Sequence, residues 1–399
     1  MSSVDQSQHR AIIFVVIALI VLMVGATDLH IPSLPAIQVS LFATVSEVQL
    51  TVTLYLIGYA ISPLAYGPLS DAYGRRGILI FGLVVAFFGS VLCTFAPSIE
   101  TLLAGRILQG IGLGAGSAMM RAIFRDAFSG KTLAKVGSYM GTASSLSMGL
   151  APTLGGFIQE YLGWRYNFGI IVIAVMIGLF CVLRYLPETH YNRNIEAKKP
   201  KKWFKHYLEL ITSKAFIACV CMAGFAFSGL IVYATAAPFL LQTNYGLTAA
   251  EFGLLSLFIA AAQAVGFNLN GRLLKIVTIN QAMLIGVILM LISGLMLMLL
   301  YFINALNVFS IILMIIIYVV GTGFIYANAY AQAFSPFGHI IGFAAAMYGM
   351  LQTSLGGLSS FIVAIIPHYN ALIIGIMFTV LAVISLITLS MVVKYVKHE

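Results

Sequence analysis

The chain has 399 residues, 61% of them hydrophobic and only 8% charged, so size and surface rules for soluble domains do not apply and no soluble catalytic domain fits within it. Its formal charge of +9 comes from 21 Lys and Arg against 12 Asp and Glu. Except for Arg106 and Arg165, these cations lie at the termini or in every second connection between long apolar runs, which marks one membrane face and excludes a nucleic-acid surface.

A bilayer-spanning helix needs roughly 20 mostly apolar residues. Such runs are expected at 11–31, 47–68, 77–96, 99–121, 133–160, 166–186, 215–241, 250–270, 278–302, 308–332, 340–366 and 370–394. The run after Arg10 is longer than the roughly 7–15 residues of a signal-peptide core, so an uncleaved first helix is expected. Basic connections at 69–76, 121–135 and 271–277 alternate with connections at 242–249, 303–307 and 367–369 that hold no Lys or Arg. The expected fold is therefore an all-α polytopic membrane protein of twelve transmembrane helices, with both termini cytoplasmic.

The longest connection, 187–214, carries Lys198, Lys199, Lys201, Lys202, Lys205 and Lys214 around Trp203 and Phe204. It reads as a cytoplasmic tether between a six-helix bundle at 1–186 and another at 215–399, the layout of a transporter built from two related halves. Basic residues beside a membrane are attracted to anionic lipid by about 1 kcal/mol each, so lipid contact at 198–205 is expected.

Cys93, Cys181, Cys219 and Cys221 all sit in apolar runs and read as packing, not as a disulfide or metal framework. No Gly-rich loop with Lys cradles phosphate, and Ser, His and Asp are nowhere brought together, so neither ATP-driven transport nor an enzyme is indicated. No cofactor or metal is expected.

Individual residues carry more. Asp28 is the candidate protonatable site, since the second half has no other acid inside a span; it lies near the outer end if the helix stops at Ile31 and well inside if the helix continues toward Leu41. His30 falls on another face, an interfacial side chain or a proton relay. Gly67-Pro68-Leu69-Ser70-Asp71-Ala72-Tyr73-Gly74-Arg75-Arg76 is a connection whose glycines allow a tight turn and close helix approach. Asp71 is placed to cap or pair with a helix end there, while Arg75 and Arg76 anchor at the lipid interface. Arg106 lies within an apolar run, where a charge costs 2.5 kcal/mol or more and usually serves function. Gly110, Gly112, Gly114 and Gly116 are expected to form one small-residue flank. Gly149-Leu150-Ala151-Pro152-Thr153-Leu154-Gly155-Gly156 predicts a pliant, kinked helix. Glu47, Glu100 and Glu251 lie at outer span ends, where solvation accounts for them.

Together these motifs resemble the major facilitator superfamily. The decapeptide at 67–76 is similar to its loop signature, with Ala72 where a basic residue is common. The stretch at 106–112 resembles its fourth-helix motif, and Gly163-Trp164-Arg165-Tyr166-Asn167-Phe168 its outer turn before span six. Residues 149–156 are similar to the antiporter motif of drug exporters, with Ala151 in place of a glycine. The Asp28, Ile31, Pro32, Leu34, Pro35 pattern resembles the first helix of drug:proton antiporters with twelve spans. With Asn328–Phe337 and Met350-Leu351-Gln352 it looks most like the Bcr/CflA branch.

The resemblance implies a monomeric exporter of small organic molecules in the bacterial cytoplasmic membrane, driven by protons through Asp28 and Arg106. Alternatives are export of an endogenous metabolite such as a siderophore, proton-coupled uptake, or a non-transporting receptor or scaffold. It implies a cytoplasmic gate at Gly67, Asp71, Gly74, Arg75 and Arg76, and a central cavity walled by spans one, four, seven and ten. Tyr55, Tyr59, Tyr139, Phe227, Tyr233, Tyr326, Asn328 and Gln352 are the candidate substrate contacts, because aromatic rings and amides suit amphipathic ligands.

Overall fold

The computed structural model describes residues 6–128, 130–190, 200–366 and 370–396. Lys198 and Lys199 lie outside the described residues, as do the side chains of Lys201, Lys202 and Phe204. The chain is helical: α1 (Gln6–Asp28), α2 (Leu34–Ser40), α3 (Val45–Tyr73), α4 (Arg75–Thr94), α5 (Ile99–Ala127), α6 (Gly130–Tyr161), α7 (Trp164–Tyr185) and α8 (Pro200–Thr212) come first. α9 (Lys214–Pro238), α10 (Ala249–Leu273), α11 (Ile279–Phe302), α12 (Val308–Phe334), α13 (Ile341–Ala364) and α14 (Ala371–Tyr395) follow.

The first span is broken. α1 stops at Asp28, a 3-10 turn covers Ile31–Ser33, and α2 resumes at Leu34. Pro32 and Pro35 explain the break, since each removes an N–H and disfavours helix at the residue before it. The chain therefore runs on for more than a further turn beyond Asp28, and the carboxylate lies inside the molecule.

Polar residues at several helix starts have a local task. Thr44 with Glu47, Thr248 with Glu251, and Thr278 with Gln281 form reciprocal capping boxes. Each cap is worth about 1 kcal/mol. Glu47 and Glu251 are thus bonded to backbone and not merely solvated.

Ten helical stretches among the described residues are long and apolar enough to cross a bilayer. α6 and α13 are comparably long but richer in small and hydroxyl residues, such as Ser144, Ser145 and Ser147 on α6 or Ser359 and Ser360 on α13. α6 packs on α10 and α13 on α3, so both lie on the seam between two apolar cores. One core gathers mainly α1–α7 and the other mainly α9–α14.

The glycines of α5 do not form one flank. Gly110 lies against the Tyr55 carbonyl of α3, Gly112 against Ala86 of α4, and Gly116 against Met23 of α1. Residues two apart on a helix point to different sides, so the small residues let α5 sit at the centre of its group. The connection 187–214 is more than a tether, because α8 is an amphipathic helix that docks on α9 and α13.

Candidate functional site

A cavity of about 570 Å³ lies between the two groups of helices. Its wall comes from α1, α3, α5 and α6 on one side and α9, α10, α12 and α13 on the other. That is wider than spans one, four, seven and ten. The lining is apolar and soft, with Met23, Met120, Met140 and Met148 beside Phe227, Phe252 and Phe267. Among the described residues that line it, Asp28 is the one carboxylate and there is no Lys, Arg or His.

Of the expected contacts, Tyr59, Phe227, Tyr233, Tyr326 and Gln352 line this cavity, and so does Pro152. Tyr55, Tyr139 and Asn328 do not. Tyr55 is fully buried behind the wall. Asn328 is buried within its own group, where its amide donates to Asn270 Oδ1 at 2.8 Å and to the Phe324 carbonyl. Tyr139 is 45% exposed on the basic end of α6. Gln263, which the sequence did not single out, does face the cavity. Its Nε2 and the hydroxyls of Tyr233 and Tyr326 are buried with no protein hydrogen-bond partner. Unpaired polar atoms on an apolar cavity wall are costly unless a ligand or water engages them.

Arg106 is wholly buried behind Asp28. Its Nε donates to the Thr51 carbonyl and Nη1 to the Ala26 carbonyl, each at 3.2 Å, and Nη1 also meets Gln109 Oε1. Ala26 is among the last residues of α1, whose final carbonyls lack helical partners. Arg106 therefore caps the broken end of the helix that carries Asp28. Its Cζ stands 4.1 Å from the centroid of the Tyr55 ring. Among the described residues no ion pair joins Arg106 to Asp28, although the two charges are close enough to interact. His30 is buried rather than interfacial, its ring 5.6 Å from Phe168.

At the basic end, Arg75 is buried, not a lipid anchor. It pairs with Asp71, donates to Ser70 Oγ, and its Nε reaches Asp126 Oδ2 at 3.1 Å. The Arg76 guanidinium donates to the Leu183 carbonyl at 2.7 Å. Gly74 has φ +103°, a conformation that only glycine adopts without strain. Gly67 faces open space, so close approach does not explain it. Asp126 and Glu188 join this cluster and were not foreseen.

The two groups meet firmly at the opposite end. A Cβ on Gly155 would strike the Leu29 carbonyl, and one on Gly156 the Ala249 carbonyl, so the motif at 149–156 lets α6 touch both α1 and α10. Thr153 donates to the Gly253 carbonyl (2.9 Å), Gln49 to Thr235 (3.0 Å) and Gln242 to Pro32 (2.9 Å). Thr53 donates to Ser360 at 2.8 Å. These bonds join the two groups of helices toward the Pro32 end.

Residues 14–361 match the family model described as Major Facilitator Superfamily. The chain is 31% identical over 363 residues to an uncharacterized MFS-type transporter, YdgK, of Bacillus subtilis, covering 90% of this chain and 89% of that one. It is 26% identical to a bicyclomycin resistance protein homolog of Haemophilus influenzae, covering 84% of each. Among solved structures, a D-xylose-proton symporter shares the fold with a TM-score of 0.78 at 18% identity, covering 95% of this chain and 97% of that one. With that match across most of its length and its long apolar helices, the chain is a multi-pass membrane protein of the major facilitator superfamily.

Proposed function

We propose that this protein is a proton-coupled antiporter that exports small, amphipathic organic molecules from the bacterial cytoplasm by alternating access. The observation that carries the reading is Asp28, the one charged side chain among the described residues of the cavity wall, with a wholly buried arginine near it. A cavity carboxylate that binds a proton in one half of the cycle and a ligand in the other couples the two flows. Similarity to a bicyclomycin resistance protein homolog supports drug-like cargo. The soft wall of Met and aromatic side chains does as well, since it offers contact area without a fixed hydrogen-bond pattern.

In this reading all twelve long helices span the inner membrane with both termini cytoplasmic, and 1–186 rocks against 215–399 about the cavity. Asp28 and Arg106 couple protons. Tyr59, Phe227, Tyr233, Tyr326, Gln352 and Gln263 touch cargo. Gly67, Asp71, Gly74, Arg75 and Arg76 form the cytoplasmic gate, and Gly149, Pro152, Gly155 and Gly156 the hinge and seal of α6. One proton moving inward across 100 mV supplies about 2.3 kcal/mol, enough for a roughly fifty-fold gradient of an uncharged cargo; a monovalent cation exchanged one for one moves no net charge and is driven by the pH gradient alone. Purified protein in liposomes should move a lipophilic cation such as tetraphenylphosphonium against its gradient when protons flow the other way. Absence of flux under any imposed pH gradient contradicts the reading.

A further inference from the structure

Tyr55 was expected to touch substrate, and the fold puts it elsewhere. It is wholly buried, while Tyr59, one turn along α3, reaches the cavity. Its hydroxyl lies 3.0 Å from the Thr27 hydroxyl, next in sequence to Asp28. Its ring carries the Arg106 guanidinium on one face, 4.1 Å away, a geometry that attracts a cation most when desolvated. We infer that Tyr55 is a positioning residue for proton coupling, holding the turn that bears Asp28 and the cation behind it as one unit, so that a change of charge at Asp28 is passed to α3 and α5. The inference rests on the antiport reading of the same cavity and deepens it.

Three contacts make the unit. Arg106 ties α5 to α1 through the Ala26 carbonyl and to α3 through the Thr51 carbonyl. Thr51 is one helical turn before Tyr55, so the guanidinium lies along the same stretch of α3 that supplies the ring. Tyr55 then closes the loop back to α1 through Thr27. The remaining nitrogen, Arg106 Nη2, is buried with no acceptor among the protein groups. An ionised Asp28 attracts that spare donor strongly; a protonated one offers only the weaker acceptor of its carbonyl oxygen. Tyr55 and Thr27 set how closely the two can approach, because they fix the turn from one side and the cation from the other.

The titratable groups around Asp28 are few. Arg106 approaches from α5, Tyr55 and Tyr59 from α3, and His30 follows just beyond α1. Tyr233 on α9 and Tyr326 on α12 face it across the cavity. The lining residues of α6, α10 and α13 bring no titratable group, and α7 presents Phe168.

Two nearly isosteric variants test the inference on the full-length protein. Tyr55→Phe keeps the ring on Arg106 and loses the hydroxyl contact; Thr27→Val removes the same contact from the other side. Proton release on adding tetraphenylphosphonium, followed across pH, reads coupling, and the Kd of that probe reads the cavity. Each variant should displace the pH midpoint of release by about half a unit or more, and Tyr55→Phe should leave Kd within about twofold, because Tyr55 is buried behind the wall that Thr27 lines. The double variant should displace it no further than one single variant, as for two ends of one contact. A Tyr55→Phe protein that loses affinity about tenfold with its midpoint unmoved would make Tyr55 a ligand contact and overturn the inference. Unmoved midpoints in both variants, or shifts that add, would also overturn it. If the parent protein binds the probe and releases no proton at any pH, the antiport reading itself falls and this inference with it.

Discussion

The carboxylate of Glu188 closes the start of the helix that begins at Arg75: it accepts the backbone N–H of Arg75 at 2.9 Å and that of Arg76 at 3.3 Å. It also accepts the N–H groups of Thr189 and His190, each at 3.0 Å. The first N–H groups of a helix have no partner within it, and a negative charge there is favoured by the helix dipole. The end of α7 is thereby joined to α4, beside the Asp71–Arg75–Asp126 cluster.

Replacing Glu188 by Ala should cost about 1–2 kcal/mol, the loss of a charged cap, and lower the Tm of the purified protein. Gly74→Ala should cost more, since its φ is +103° and its Cβ would overlap the Glu188 carboxylate. Equal and negligible shifts for the two variants would show that this cap does not hold α4.

α8 straddles the basic end. The Tyr207 hydroxyl donates to the Leu64 carbonyl of α3 at 3.2 Å, while the rings of His206 and Tyr207 lie 4.8 and 5.3 Å from Phe343 of α13. Burial, and then the nearby Asp71, push the Tyr207 phenol above its ordinary value. Its proton therefore stays on in the folded protein when an exposed tyrosine, near pH 10, has lost it. The stability this contributes is full below about pH 10 and falls as pH rises further. Tyr207→Phe should flatten the alkaline decline in Tm. An identical decline in parent and variant would rule out this contact as a strap.

The seam at the Pro32 end is held by neutral hydroxyls and amides. Thr53 and Thr235 both meet Ser360, at 2.8 and 3.1 Å. Each such bond contributes about 1 kcal/mol, small enough to be broken and remade in a cycle. Spin labels at the exposed Ser40 and Thr243 should report a longer distance population when Thr53→Val and Ser360→Ala are combined. Unchanged distances would place the closing contacts elsewhere.

The sequence revealed what is expensive in a membrane. Asp28 and Arg106 stood out because charge inside an apolar run needs a reason, and both lie at the cavity or directly behind it. Pro152 and the glycines at 149–156 pointed to the close contacts of α6, whereas for the first span the sequence left open whether the helix stops at Ile31 or continues toward Leu41, and the chain instead breaks after Asp28 and resumes at Leu34. Packing partners were less legible. Tyr55 and Tyr59 share one face of α3 at a spacing of one turn, and only depth separates a buried ring from a cavity wall. Asn328 resembled a ligand amide until Asn270, on another helix, supplied its partner. Met23, Met120, Met140 and Met148 could not be singled out in a chain where apolar residues are everywhere. Glu188 and Asp126 were overlooked because each sits at a span end, where solvation is the ordinary explanation; their partner Arg75 is distant in sequence.

Everything in the functional account passes through Asp28, so the most direct test removes its charge and its proton together. Asp28→Asn preserves the shape of the side chain and leaves the Arg106 contacts to Ala26 and Thr51 in place. In liposomes with an imposed pH gradient, the variant should fold, insert and still exchange a neutral ligand down its gradient, while proton-driven accumulation falls to background. Undiminished proton-driven antiport by Asp28→Asn would contradict the account.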